Sequence, residues 1–317
     1  MDSRVYLGID TSNYTTSVSV IDADGELVAN IKKLLPVADG ECGLRQSDAL
    51  FAHIKNLPVI MDELRPFMEG KTPIAVGVST RPRNVEGSYM PVFLAGVAVA
   101  ESLSATHGIP LYRFSHQCGH IMAALYSSGR LDLVGEEFAA FHVSGGTTEL
   151  LRVRPAGAGF TTELVGGTLD LNAGQVIDRI GVSLGMPFPA GAHLERVALG
   201  YEGRIEKKRI AGDGLHVNLS GLENMAKRLY ADTSDAAAVG AFVFDYVARA
   251  IINMADAYFD KYGECPLICA GGVMCNSIIK ARIAEHHRAY FAEPAMSSDN
   301  AVGIANLARL AHFNNKA

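Results

Sequence analysis

Cysteine is scarce in this sequence, and its placement does not suit a cysteine-held metal. The 317-residue chain has five cysteines, a sparse and odd number that is typical of a reducing compartment. Cys265 and Cys269 flank a predicted strand, so they would lie about 13 Å apart at ~3.3 Å per residue, too far to chelate one ion. The remaining three are Cys42, Cys118 and Cys275.

Long apolar runs and an excess of basic residues are also missing. No apolar run reaches the ~18 residues that a membrane span needs, and the first four residues lead into a strand rather than a signal peptide. We therefore predict a cytoplasmic protein without membrane contact. The 34 acidic and 28 basic side chains give a net charge of −6. Any nucleic-acid role would thus need a local basic patch or a basic partner.

Three common chemical motifs are absent as well. The chain has no GxxxxGK[ST] P-loop and no GxGxxG dinucleotide fingerprint. His116 is followed by Gln117, so the glutamate that serves as general base in an HExxH metalloprotease is missing. A peptidase activity is therefore disfavoured.

Two histidines four residues apart, His116 and His120, indicate a metal site. Residues i and i+4 are neighbours on one helical face, so both imidazoles can reach one cation. Two ligands leave a site incomplete, and the best candidate for a third is Asp299, at the start of the last predicted helix. An isolated pair of this kind is equally compatible with two histidines that merely lie near a helix start.

Alternating strand and helix patterns predict an α/β protein. Residues 5–10 form an apolar strand that ends at Asp10, and a hydroxyl-rich turn leads to a returning strand over residues 16–21. A carboxylate in this position can hold a hydrated cation. Helices are predicted over residues 48–68, with an interruption or kink at Pro58, and over 91–106, 172–184 and 235–262, whereas residues 22–47 are predicted to be loop-rich.

Two glycine pairs follow predicted strands. A second hairpin over residues 138–153 turns through Ser144, Gly145 and Gly146, where backbone amides can approach a phosphate closely. Taken alone, this piece is more often a plain glycine turn. Residues 266–270 lead through Gly271 and Gly272 into a helix, a junction whose N–H groups and dipole suit a nucleotide.

Together these segments resemble the TsaD family, known historically as O-sialoglycoprotein endopeptidase or glycoprotease-like proteins. The resemblance covers nearly the whole chain through seven motifs in order: LGIDTS, His116-x-x-x-His120, VSGGTTEL, TLDLNAGQVIDRIG, Pro189-Ala190-Gly191, AGGVMCN and SSDNA. It implies an actin-like, Hsp70-like and sugar-kinase-like ATPase fold of two α/β lobes, with a mixed sheet in each and a nucleotide in the cleft. We expect one lobe from residues 1–115, completed by 297–317, and the other from 116–296.

The resemblance also implies the cofactors and partners. A divalent metal, Zn or Fe, would be held by His116, His120 and Asp299, with Asp10 as a catalytic residue and Mg as a further ion. ATP, AMP or an acyl-adenylate would bind Ser144, Gly145, Gly146, Asp178, Gly191, Glu195 and Asn276. Family members transfer a threonylcarbamoyl group from threonylcarbamoyl-adenylate to a tRNA adenosine. They work with partner proteins, so we expect tRNA contact through partners and a homodimer or hetero-oligomer.

Four departures from the family pattern leave other functions open. The chain has Asn13-Tyr14-Thr15 in place of Cys-Asp-Glu, Thr147 in place of a histidine, Glu223 in place of a lysine, and residues 81–86 in place of a glycine-rich loop. The metal and nucleotide positions are kept while the acceptor-side positions differ, as in a divergent paralogue. The alternatives are a carbamoyl transferase or ATP-dependent enzyme for another acceptor, and a nucleotide-binding partner without chemistry.

Overall fold

The computed structural model describes residues 3–12, 14–36, 44–157, 159–297 and 299–314, which contacts divide into two units. Unit 1 comprises Met1–Glu136, Arg154–Thr162 and Ser298–Ala317. Unit 2 comprises Glu137–Val153 and Glu163–Ser297. Each unit has its own mixed sheet, and each is described by itself below.

Unit 1 contains a five-stranded sheet in the order β3-β2-β1-β4-β5. The antiparallel neighbours β1–β2 and β2–β3 follow one another in the chain, whereas the parallel pairs β1–β4 and β4–β5 need crossovers that include helices α1 and α2. The strands are β1 (Arg4–Ser12), β2 (Thr15–Asp22), β3 (Leu27–Leu34), β4 (Thr72–Arg81) and β5 (Leu111–Ser115), and the helices are α1 (Gln46–Leu64) and α2 (Phe93–His107).

The two faces of this sheet are covered by different helices, because side chains alternate along a strand. Leu7 and Ile9 of β1 belong to the core formed with α1 and α2. On the other face, Tyr6 contacts His312 of the C-terminal helix, which spans Val302–Asn314. A Cβ on Gly77 of β4 would lie 2.8 Å from the carbonyl oxygen of Ile304 in that helix. Glycine at position 77 therefore permits direct contact between strand and helix.

The helix α3 (His116–Ser127) packs closely against the same C-terminal helix. Both backbones approach at glycines, since a Cβ on Gly303 would overlap the carbonyl oxygen of Gly119 and lie 2.8 Å from the amide of Ala123. This packing is why contacts place α3 in unit 1. The observed division therefore differs from the lobe boundary that we expected after residue 115.

Unit 2 contains a seven-stranded sheet in the order β12-β11-β6-β7-β8-β10-β9, with β6–β7 antiparallel and β6–β11 and β11–β12 parallel. Its strands are β6 (Phe138–Val143), β7 (Thr148–Ala156), β8 (Gly159–Thr168), β9 (Ala211–Gly212), β10 (His216–Asn218), β11 (Leu267–Ala270) and β12 (Ala289–Phe291). Its helices are α4 (Ala173–Ser183), α5 (Gly191–Ala198), α6 (Ser220–Thr233), α7 (Ala236–Tyr262), α8 (Ser277–His286) and the short α9 (Pro294–Ser297); the C-terminal helix of unit 1 is α10.

The central helix of unit 2 is α7, which begins after the N-cap Asp235, whose carboxylate accepts hydrogen bonds from the amides of Ala237 and Ala238 at 2.8 and 3.1 Å. Within the described part of the chain, α7 alone is long and apolar enough to cross a membrane. However, 83% of its most apolar window is buried inside the protein, as in the core helix of a folded domain. Its apolar character is accounted for by this packing.

Most sequence predictions about the fold are confirmed. The α/β class with a mixed sheet in each unit is as expected, and the four predicted helices correspond to α1, α2, α4 and α7 within a few residues, although α1 continues through the exposed Pro58. The loop predicted over residues 22–47 is wrong for Leu27–Leu34, which form the edge strand β3. This edge strand carries exposed lysines, such as Lys32 and Lys33. The alternation of apolar and polar residues that predicts a strand is therefore weak in this segment.

Candidate functional site

The start of α3 places the two predicted histidine ligands side by side. The hydroxyl of the N-cap Ser115 accepts a hydrogen bond from the amide of Cys118 at 3.2 Å, so the helix begins at His116. His120 follows one turn later, and the Nε2 atoms of the two rings are 2.9 Å apart. Both histidines are buried, with 8% and 7% of their surface exposed. Both predicted ligands therefore lie on one helical face.

The predicted third ligand, Asp299, lies just before α10. The side chain of Asn300 accepts a hydrogen bond from the amide of Val302 at 3.0 Å and so orders the entry to α10. The Oδ1 atom of Asp299 lies 3.2 Å from Nε2 of His120 and 3.6 Å from Nε2 of His116. The close packing of α3 on α10 thus brings together residues from distant parts of the chain.

The geometry of these three groups fits a metal ion. Their ligand atoms all lie within 4.8 Å of one another. Ligands at 2.0–2.2 Å from a tetrahedral ion are separated by about 3.3 Å, close to the observed 2.9, 3.2 and 3.6 Å. Two imidazoles and one carboxylate suit Zn or Fe(II). The donor set is therefore suitable for either metal.

Asp10, the predicted catalytic residue, lies behind His116 and is fully buried. Its Oδ2 atom is 2.9 Å from Nδ1 of His116 and accepts a hydrogen bond from the hydroxyl of Ser12 at 2.8 Å. Its Oδ1 atom accepts a short hydrogen bond from Ser79. This position favours an indirect role, in which Asp10 orients the ring of His116.

The opposite charges of His116 and Asp10 stabilise each other. Burial lowers the pKa of His116, but the charge and hydrogen bond of Asp10, together with the charge of Asp299, outweigh burial and raise the pKa to about 9. Burial likewise raises the pKa of Asp10, but the charge of His116 and hydrogen bonds from His116, Ser79 and Ser12 hold it below its usual range. In the metal-free protein, His116 and Asp10 therefore form an ion pair.

The predicted phosphate turn lies at the start of α4 in unit 2. The amide of Ser144 donates to the carbonyl oxygen of Thr147 at 2.8 Å, which closes the turn. A Cβ on Gly174 of α4 would lie 2.6 Å from the carbonyl oxygen of Ser144, so glycine permits this close approach. No described atom lies within 4 Å of the Cβ position of Gly145 or Gly146. The turn therefore has open space above both glycines.

The other predicted nucleotide residues are linked to this turn through two helices. Asp178 of α4 accepts hydrogen bonds from the amides of Ala190 and Gly191 at 2.8 and 3.2 Å, which fixes the start of α5. Glu195 of α5 accepts from the amide and the hydroxyl of Ser277, both at 2.6 Å. The preceding Asn276 caps α8, because its side chain accepts from the amide of Ile279 at 2.9 Å. A continuous series of contacts within unit 2 thus connects these predicted residues.

Sequence reasoning missed two serines beside Asp10. Ser12 lies two residues further along β1, and Ser79 lies near the end of the parallel neighbour β4. The register pairs Ile9 with Val78, so the next residues on both strands lie next to each other. Ser79 has a hydroxyl group and lies near the carboxyl end of a predicted strand. This position was the signal that could have identified it.

The structure locates several of the departures from the family pattern. Tyr14 is 41% exposed and Thr15 is buried, whereas Asn13 lies outside the described residues. Glu223, the reversed charge, forms ion pairs with Lys227 at 2.6 Å and with Arg179 at 3.6 Å. The change to glutamate at position 223 is thus compensated by neighbouring cations.

Comparison with known proteins connects this geometry to a family. The family model described as "TsaD: tRNA N6-adenosine threonylcarbamoyltransferase" matches residues 48–306. The tRNA N6-adenosine threonylcarbamoyltransferase of Streptococcus suis is 28% identical over 297 residues, which cover 90% of this chain and 84% of that protein. The protein of the same name from Bacillus cereus is 26% identical over 334 residues, which cover 99% and 93%.

Solved structures show the same fold at low sequence identity. HypF of T. kodakarensis has a TM-score of 0.64 and 12% identity, over 98% of this chain and 48% of that one. A ROK family glucokinase from Streptomyces griseus, solved with glucose and AMPPNP, has a TM-score of 0.52 and 15% identity, over 96% and 99%. A Clostridium difficile activator of 2-hydroxyisocaproyl-CoA dehydratase, solved with ADPNP, has a TM-score of 0.54 and 11% identity, over 99% and 98%. These similarities confirm the sugar-kinase-like ATPase fold.

Proposed function

Because this chain belongs to the TsaD family of tRNA N6-adenosine threonylcarbamoyltransferases, we propose that it transfers a threonylcarbamoyl group to an adenosine of tRNA, in the cytoplasm, with a divalent metal and an adenylate substrate. The observation that carries the metal requirement is the convergence of His116, His120 and Asp299 within 4.8 Å. The nucleotide requirement is supported by the open glycine turn and the linked contacts of Asp178 and Glu195 in unit 2.

A neighbouring residue of the chain orients one of the metal ligands. Oδ2 of Asp10 accepts a hydrogen bond from Nδ1–H of His116, which leaves the lone pair of Nε2 directed at His120 and Asp299. The Oδ1 atom of Asp299 and both Nε2 atoms would hold the ion. A divalent ion in this position would supply a Lewis acid and a template for carbonyl or phosphate oxygens.

The transfer reaction requires a bound leaving group. The N6 amine of the acceptor adenosine attacks the carbamoyl carbon, and the bond from that carbon to the phosphate oxygen of the adenylate breaks. AMP leaves with the bonding electrons, and the amine loses its proton to solvent. In this proposal the amides of Gly145 and Gly146 bind the departing phosphate, where hydrogen-bond donors stabilise the developing negative charge.

Partners would supply the contacts to tRNA. The chain carries a net charge of −6, and its own electrostatic affinity for a polyanion is therefore low. We propose that it binds tRNA through partner proteins within a homodimer or hetero-oligomer. In this proposal the acceptor contacts positions of unit 1 that depart from the family pattern, such as the exposed Tyr14.

A second candidate function is transfer of a carbamoyl-type group to another acceptor. It is favoured by Glu223, which stands where the family pattern has a lysine. The negative charge of Glu223 is compensated by ion pairs with Lys227 and Arg179. A nucleotide-binding partner without chemistry is the third reading. All three proposed metal ligands are present in this chain, which does not support a protein without chemistry.

Mass spectrometry of tRNA nucleosides separates these functions. Deletion of the gene should remove threonylcarbamoyladenosine, and the intact gene should restore it. His120→Ala should fail to restore the nucleoside, whereas His107→Ala, which changes an exposed histidine of α2, should restore it. An unchanged nucleoside pool in the deletion strain, in a genome without a second family member, would favour another acceptor.

Metal analysis of the purified protein tests the site directly. His120→Ala should lose bound metal while the protein stays folded, because one of three ligands is removed. Gln117→Ala is the matched control on α3, since Gln117 points to Thr162 and accepts its hydroxyl hydrogen bond at 3.0 Å. Full metal content in His120→Ala would contradict the assignment of this site.

A further inference from the structure

A small pocket in unit 1 lies apart from the three proposed metal ligands. Its volume is about 180 Å³, below the ~300 Å³ at which pockets hold drug-sized ligands. Its walls come from the end of β4 and the loop that follows, from β5, from the first turn of α3 and from α10. The end of β7 and the start of β8, which belong to unit 1, complete the lining. A ligand for this pocket must therefore be small.

The polar side of the pocket is formed by Arg81, a half-buried guanidinium. Its two hydrogen-bond partners are neutral: Nη1 donates to the hydroxyl of Thr80 at 3.2 Å, and Nη2 donates to Oδ1 of Asn84 at 2.9 Å. Among the described residues, no carboxylate lies within ion-pair distance of it. A guanidinium is always charged and has five N–H donors, so Arg81 retains donors for an anion.

The orientation of this guanidinium is fixed by the neighbouring amide. Asn84 accepts from Arg81 through Oδ1 and donates through Nδ2 to Sγ of Cys118 at 3.1 Å. Cys118 is buried in α3, so the side chain of Asn84 is tied to a rigid element. A guanidinium held in one orientation can bind a carboxylate through two parallel hydrogen bonds.

The charge of the pocket suits a monoanion. A second arginine, Arg113, also lines it, but Arg113 is exposed and forms an ion pair with Glu101. Among the described lining residues, Arg81 therefore supplies the only positive charge without a carboxylate partner. The apolar part of the lining includes the buried side chains of Phe160, Leu307 and Ala311.

From this combination we infer that the pocket binds a small organic monocarboxylate, with its carboxylate on Arg81 and its short apolar body against Phe160 and Leu307. A nucleotide is too large for the volume, and inorganic phosphate has no apolar part to contact the apolar lining. This second binding site is independent of the transfer reaction.

Isobutyrate is a suitable probe, with isobutyramide as its neutral isostere. We expect saturable binding of isobutyrate to the full-length protein, one per chain, by calorimetric or NMR titration. Isobutyramide and inorganic phosphate should bind at least about tenfold more weakly, since the charge-assisted pair or the apolar contact is lost. Absence of saturable isobutyrate binding, or equal binding of isobutyramide, would overturn the inference. Tighter binding of phosphate would overturn the choice of a carboxylate.

Variants locate the binding to this pocket. Arg81→Gln should weaken isobutyrate binding at least about tenfold, whereas Arg83→Gln, an exposed arginine of the same loop that does not line the pocket, should leave it unchanged. Gly159→Val adds a side chain at a lining position, where a Cβ meets only Leu307, at an ordinary 3.4 Å. This variant should also lose binding. Undiminished binding in Arg81→Gln or in Gly159→Val would show that isobutyrate binds elsewhere.

Discussion

The Oδ2 atom of Asp10 lies 2.9 Å from Nδ1 of His116, although the two residues are 106 positions apart in the chain. This contact joins the end of the first strand to the first residue of α3. The ring of His116 is thereby held between a buried carboxylate on one side and His120 on the other. The orientation of a proposed metal ligand thus depends on a residue that does not reach the ion.

Replacement of Asp10 should weaken metal binding without removing a ligand. Loss of a carboxylate behind a metal-bound histidine typically lowers metal affinity ten- to a hundredfold, because the ring loses its fixed orientation and some basicity. We expect a decrease of this size in Asp10→Asn, measured by competition with a chromophoric chelator. Asp62→Asn, in an exposed aspartate of α1, is the control and should bind metal normally. Equal affinities for both variants would contradict the proposed role.

Replacement of Glu195 should weaken binding of adenine nucleotides. Glu195 holds the amide and hydroxyl of Ser277 beside Asn276, so Glu195→Ala should disorder the start of α8 as well as remove a polar contact. For the unaltered protein, nucleotide at ~100 times its dissociation constant should add about 2.7 kcal/mol to the free energy of unfolding. We expect a smaller shift of the melting temperature for Glu195→Ala, and a normal one for the exposed Glu202→Ala. A protein that shows no shift with any adenine nucleotide would refute the nucleotide site.

Asp170 makes the stability of unit 2 depend on pH. Burial raises its pKa, but hydrogen bonds from the hydroxyl of Ser220 and from the amides of Leu219, Leu171 and Ser220 outweigh burial and lower the pKa to about 2. Because the pKa of Asp170 in the folded protein lies below the 3.8 of an ordinary aspartate, the stabilisation is complete above pH 4 and is lost as the pH falls through 2.

Asp170→Asn should therefore lower the free energy of unfolding at neutral pH by about 1 kcal/mol, a value reduced for solvent screening of this exposed residue. The difference from the unaltered protein should shrink as the pH falls from 4 towards 2. Urea unfolding across this range is the measurement, and a difference that stays constant with pH would contradict the assignment.

Replacement of two glycines by alanine should have opposite effects on stability. Gly77→Ala would place a Cβ 2.8 Å from the carbonyl oxygen of Ile304 and 2.9 Å from Cβ of Ala308, so β4 and α10 must separate. Such overpacking typically costs about 1–3 kcal/mol. Gly221→Ala, near the start of α6, meets no atom within 4 Å and should raise stability by up to about 1 kcal/mol. Thermal unfolding of both variants tests this, and similar effects for the two would show that α10 tolerates movement.

The sequence by itself determined the local structure around the candidate site. The spacing of His116 and His120 predicted one helical face, and Asp235 predicted the start of the long helix α7, because capping and helical periodicity are local properties. The family resemblance, carried by seven motifs in order, indicated the fold and the third ligand, Asp299. These predictions needed no knowledge of which elements touch.

Only the tertiary structure decided which residues surround those ligands. The packing of α3 on α10 requires Gly119 and Gly303 to face each other, and nothing in the local sequence around either glycine specifies its partner. The contact between Asp10 and His116 likewise depends on the order of strands in the sheet, and so does the position of Ser79. Such contacts join residues far apart in the chain, and they form only when helices and strands pack together to bury their apolar faces.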